Sequence, residues 1–189
     1  MAFEHDWAYL QAALADLQDY ILSNDLYRPL HLSHKPGSAQ APQLTIGSLA
    51  LTLANLSAQP LSGDQASDLA ALKQRIDALR SEWRSNWGRK AAKEFGSRLN
   101  LWQQYIRELR GDPRGQARYY PGEVRQRTIL QLLRAEILES IPAHEEEQVT
   151  LNDTLLRGLT EPGPFVWEAA VQAAFPASDY WFLYVQVKK

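Results

Sequence analysis

Residues 67–109 read SDLAALKQRIDALRSEWRSNWGRKAAKEFGSRLNLWQQYIREL, and the fold class turns on how this run is divided. Leu69, Leu72, Ile76, Leu79 and Trp83 recur at alternating steps of three and four, the seam of a helix packed in a bundle. Phe95, Leu99, Trp102, Ile106 and Leu109 make a second seam. Between the two, Trp83, Trp87, Ala91 and Phe95 stand four apart, which rotates the apolar stripe. Gly88 and Gly96 flank that shift. One straight helix over the run would be ~64 Å long at ~1.5 Å per residue. A globule of this chain length is only about 35–40 Å across. The run is therefore expected to bend or break near Gly88, or else to project and pack on a second subunit. Ser67 is the expected N-cap, with Ser62 as the competing start.

Outward from this centre the pattern stays helical. Trp7, Leu10, Leu14, Leu17 and Ile21 form one stripe, predicting a helix over Phe3–Leu26 stopped by Pro29. Leu30–Gln43 reads as a loop, Thr45–Gly47 as extended, and Ser48–Leu56 as a short buried helix with Leu49, Leu53 and Leu56 inward. Asp112-Pro113, Gly115 and Pro121-Gly122 predict a non-helical connection over Gly111–Gly122. A helix follows from Glu123 to Ser140, ended by Pro142, and Thr150 or Asn152 is the expected cap of a short helix through Leu159. Glu161-Pro162-Gly163-Pro164 reads as a rigid turn and Phe165–Phe175 as a short helix. Tyr180–Val187 is aromatic and β-branched, hence a strand or extended segment, and Gln43–Ile46 or the same strand of a second copy are its candidate partners. The expectation is a mainly α protein: a single helical domain over 1–189, an irregular multi-helix bundle with a long, kinked central helix and a short C-terminal strand.

Composition narrows the function classes. The chain has 189 residues and no cysteine, which removes disulfides, thiolate chemistry and cysteine-rich metal sites. The acidic N-terminal stretch with Glu4, Asp6, Asp16 and Asp19 is not a signal peptide, and no apolar run reaches membrane length; a soluble cytoplasmic protein is expected. The net charge of -2 is unevenly spread: Arg75–Arg134 holds 14 Lys/Arg against 6 Asp/Glu.

No catalytic motif is legible. The four histidines are His5, His31, His34 and His144, and only His31 and His34 are close, in a proline-bounded loop. No metal or cofactor is expected. Glu136 and Glu139 share a helical spacing, but solvent exposure explains them. There is no nucleophile elbow, phosphate-binding loop or dinucleotide fingerprint. Whether the protein is an enzyme, with a site assembled from distant polar residues, stays open.

The distinctive feature is a basic, Trp-rich segment. Arg80, Arg84, Trp87, Arg89 and Lys93, continued by Arg114, Arg118, Arg125 and Arg127, are the candidate partner surface. The plainer alternative is that Trp83, Trp87 and Phe95 continue the core stripe while the cations solvate the other side. Arg114, Arg118, Arg125 and Arg127 could pair with Glu145–Glu147 or hold a small anion. The leading reading is a non-enzymatic helical protein acting through a protein partner or as a homodimer. A nucleic-acid module is the weaker alternative; it requires a continuous positive face with Trp87 exposed.

Overall fold

The computed structural model describes residues 2–32, 42–138 and 140–188. His34 and Glu139 lie outside the described residues, as does most of the segment expected to be a loop before Gln43. Helix α1 spans Ala2–Leu22, ending before the Asn24-Asp25 pair rather than at Leu26. Arg28–Pro29 (β1) and Gln43–Leu44 (β2) form a two-residue antiparallel pair. Helix α2, Ile46–Ala58, begins earlier than expected because Thr45 is its N-cap, accepting from the Ser48 N–H.

The central run is broken, but at a different residue from the one expected. Helix α3 covers Gly63–Glu82 and helix α4 covers Arg84–Gly111, with Trp83 between them at φ -108°, ψ 35°. Ser62, not Ser67, caps α3, in a reciprocal capping box with Gln65. Gly88 lies inside α4, where a Cβ would come 2.8 Å from Leu138 Cγ, so this glycine serves close packing instead of a hinge.

Another correction concerns 111–122. Only Asp112 leaves the helical path: Pro113–Gln116 is a helical turn (α5), Ala117–Tyr119 is a 3-10 turn, and Tyr120–Leu133 is helix α6. Both prolines sit in first turns, where a missing N–H costs nothing, and Asp112 accepts from the Gly115 N–H. Helix α6 stops at Leu133, well before Ser140; the chain turns through Arg134–Glu136 so that Leu138 can lie on Gly88. Helix α7 is longer than expected, Ala143–Leu159, with Glu145 and Glu146 in its first turn, where carboxylates favour the helix dipole.

The C-terminal strand is short and paired within the chain. Val185–Val187 (β4) runs antiparallel to Thr160–Pro162 (β3), with Thr160 opposite Val187. Neither Gln43–Ile46 nor a second copy is needed, and the expected turn at 161–164 is partly strand. The expected helix over 165–175 reduces to a 3-10 stretch, Ala169–Ala174, because Phe165, Trp167, Phe175 and Tyr180 pack edge to face and hold the backbone irregular.

Helix α4 packs on α6, α7 and α2, while α2 is enclosed by α1, α6 and the 169–174 turn. Trp102, Phe95, Phe175 and Phe182 are fully buried in the shared core. No described helix is long and apolar enough to cross a membrane.

A polar cavity lined by two arginines

Helix α2 has one polar stripe on an otherwise apolar body. Ser48, Thr52 and Asn55 follow at steps of four and three, with Leu51 beside them, so all four share a face. That face lines an open cavity of about 650 Å³. Helix α1 adds His5, Asp6 and Tyr9, and α6 adds Pro121, Gly122, Arg125 and Gln126. Arg98 from α4, Trp167, and Pro42 and Gln43 complete the lining. The volume falls within the usual range for small-molecule sites.

Beneath the cavity lies a buried ion pair. Glu94 is fully buried and accepts three hydrogen bonds: from Thr45 Oγ1 at 2.6 Å, from the Gly47 N–H at 2.7 Å and from Arg98 Nε at 3.0 Å. Its carboxylate therefore occupies the N-terminus of α2, where the free N–H groups and the dipole favour an anion. Gly47 permits this approach, since a Cβ there would fall 2.3 Å from Ile129 Cγ2 and 2.9 Å from Glu94 Oε1. Arg98 goes on to donate to Gln126, Thr45 and Ser48. Its charge and most of its donors are thus used internally.

Arg125 differs. It has no ion pair and no hydrogen bond among the described residues, although it lines the same cavity. Its side chain stands exposed to solvent on the lining of this open cavity. Burial, then the positive charge of Arg98, pulls its guanidinium below the ordinary value; Tyr9, Asp6 and Glu94 act in the opposite direction. Across the cavity, Asp6 is raised above the ordinary carboxylate value, chiefly by burial, and is opposed by the Asn55 hydrogen bond, His5 and Arg125. Asn55 Nδ2 donates to Asp6 Oδ2 at 3.3 Å and His5 Nδ1 stands 3.8 Å from Asp6 Oδ1. Asn55 Oδ1 has no partner. Trp167, fixed by donation from Nε1 to the Pro121 carbonyl, adds an apolar wall with Leu51.

Among the described residues, no hydrogen bond joins His5 to the Ser48 or Thr52 hydroxyl, and no group of three or more His, Asp or Glu could hold a metal ion. The arrangement is equipped to bind and orient charged groups; an assembled nucleophile is absent from it.

The nine residues singled out in the sequence are distributed over separate places. Arg80, Arg84 and Trp87 gather at the α3–α4 junction in a hollow of about 430 Å³. Trp87 is only 4% exposed, and its Nε1 donates to Glu136, which also pairs with Arg80 at 3.1 Å. Glu136 is thus engaged, contrary to the expected solvent exposure, and the Trp87 ring is not free to stack. Arg89 donates to Asn86 and, with Lys93, borders a smaller hollow beside 21–26. Arg114 is exposed on α5, and Arg118 lies on the Tyr119 ring, its guanidinium 4.6 Å from the centroid. Arg127 is buried, doubly bonded to Asp153 at 2.8 and 2.9 Å, with its guanidinium 4.5 Å from the Phe182 ring centroid. The acidic run is met by Arg134, which pairs with Glu146. Only Arg125 reaches the large cavity. Ser48, Asn55 and Glu94 were not singled out from the sequence; the i, i+4 spacing of Glu94 and Arg98 and the polar stripe of α2 were the available signals.

No family model matches this chain, and neither a curated protein nor a solved structure matches it.

Proposed function

We propose that the protein is a binding protein whose cavity over α2 takes a small molecule carrying an anionic group. The observation that carries this reading is Arg125, an exposed guanidinium with no partner among the described residues on the lining of a concave cavity. Water solvates this exposed guanidinium in the free protein, and a ligand anion in the cavity would take that water's place. An anion there would gain a charge-assisted, forked hydrogen bond that Arg98 is too occupied to offer. The test is a nuclear magnetic resonance titration with 3-phenylpropionate, a carboxylate bearing an apolar ring. Shifts should concentrate on cavity residues of α1, α2 and α6, and Arg125→Ala should weaken binding by tenfold or more, about 1.4 kcal/mol. Binding that ignores Arg125→Ala would refute the proposal.

One observation favours a second reading, contact with a protein partner or a second copy of the chain. Leu138 is 48% exposed beside an apolar hollow bordered by Gly88, Ala92 and Ile137, with Arg89 at its edge. Light scattering of the native chain and of Leu138→Asp tests it: a dimer that Leu138→Asp dissociates would support the reading, and a monomer at all concentrations would remove the homodimer.

A further inference from the structure

The anion reading leaves the opposite side of the cavity unexplained. Asp6 on α1 and Arg125 on α6 line the same cavity and each acts electrostatically on the other, yet no ion pair joins them. Opposite charges free to reach one another in a partly desolvated cleft attract strongly. Here they are attached to different helices that each pack on α2, whose polar face lines the same cavity. Asn55 steadies the Asp6 carboxylate by donating to it, while its own Oδ1 is sealed from solvent. His5 Nδ1 stands 3.8 Å from Asp6 Oδ1, a distance that leaves room for a better donor.

Resting on the anion reading above, we infer that the ligand is a zwitterion of the amino-acid type, its carboxylate on Arg125 and its ammonium on Asp6. Charge balance supports this class. Glu94 neutralises Arg98, so besides the His5 imidazole the cavity presents one guanidinium and one carboxylate with no ion pair between them. A phosphomonoester, with close to two negative charges, would be opposed by Asp6 and met by a single free guanidinium. A plain cation would leave Arg125 unmatched. Trp167 and Leu51 offer apolar surface for the remaining side chain. Because burial raises Asp6 above its ordinary value, arrival of an ammonium group should also drive a proton off this carboxyl whenever it is occupied.

The experiment compares phenylalanine with 3-phenylpropionate, which differ only by the α-ammonium group, on the full chain and on Asp6→Asn. The inference expects phenylalanine to bind at least tenfold tighter, with that advantage lost in Asp6→Asn while 3-phenylpropionate binds no more weakly. Arg125→Ala should weaken both. Equal binding of the two probes, both dependent on Arg125, would overturn the zwitterion and leave the anion reading standing. Failure of both to perturb the cavity would overturn the two together. The wild-type comparison decides even if Asp6→Asn fails to fold.

Discussion

Replacing Glu94 by Gln changes no heavy-atom count, yet it should be among the more damaging single changes in this protein. Three donors converge on the carboxylate, at 2.6, 2.7 and 3.0 Å, in a site with no solvent access. A glutamine has one acceptor oxygen. If it stays toward Thr45 and Arg98, the new NH2 group faces the Gly47 N–H, donor against donor. If it turns, Thr45 and Arg98 lose their acceptor. Each arrangement orphans a buried donor, at about 1–3 kcal/mol. It also strips Arg98 of its counter-charge, and breaking a buried pair costs about 3–5 kcal/mol in all. The Arg98 side chain is 10% exposed and borders the cavity, so water offsets part of this; the lower end, about 3 kcal/mol, is expected. With an m-value near 2 kcal/mol/M, the urea midpoint should fall by about 1.5 M. Far-ultraviolet circular dichroism follows the transition, and the cycle with Arg98→Met isolates the pair. The double variant should cost at least ~1 kcal/mol less than the two single losses added together. A Glu94→Gln cost below ~1 kcal/mol, or strict additivity, would refute the network as the support of α2.

Gly47→Ala should destabilise by about 1–2 kcal/mol, overpacking against Ile129 and Glu94 outweighing the helix-propensity gain, and lower Tm by roughly 3–6 °C in calorimetry. Arg127→Met should cost about 2–4 kcal/mol by urea titration, since it leaves Asp153 unpaired with only 19% of its side chain exposed; a cost under ~0.5 kcal/mol would refute this. Asp6 holds its proton in the folded state above the pH at which the unfolded chain, with its ordinary value of 3.8, has released it. The folded state thus binds more protons in that window, so this contribution favours folding at low pH and is lost as pH rises through the raised value. Asp6→Asn should flatten that part of the stability profile, from the ordinary value of 3.8 upward, and an unchanged slope would count against the burial of the carboxyl.

The helices that carry apolar stripes were legible, because a period of 3.6 survives any tertiary arrangement: α1, the α3–α4 run and most of α6 appear where Leu, Ile and Trp recur. What failed was punctuation. Pro113 and Pro121 look like breakers in isolation but are helix-starting residues once Asp112 caps the turn. Gly88 looked like a hinge, yet the absence of its Cβ admits Leu138, fifty positions away, and the break falls on Trp83. The C-terminal strand was recognisable from Tyr180–Val187, but its partner was not, since Thr160–Pro162 reads locally as a turn. The cavity was illegible for a similar reason. Its lining runs from His5 to Trp167, and the basic segment that drew attention supplies only Arg98 and Arg125 to it.

The placement of α2 has a consequence for selectivity. Asp6 and Arg125 stand on helices that both rest against α2, so the distance separating them is fixed by the girth of that helix and its packing, with no flexible loop involved. Interaxial spacing between packed helices follows the size of the contacting side chains. Trimming Leu49 or Leu56, both fully buried and remote from the opening, would draw the two outer helices inward by a fraction of an ångström each. Helix α2 would then act as a gauge block: its core residues, which touch no ligand, would set how many bonds may separate the two charged ends of the molecule that fits.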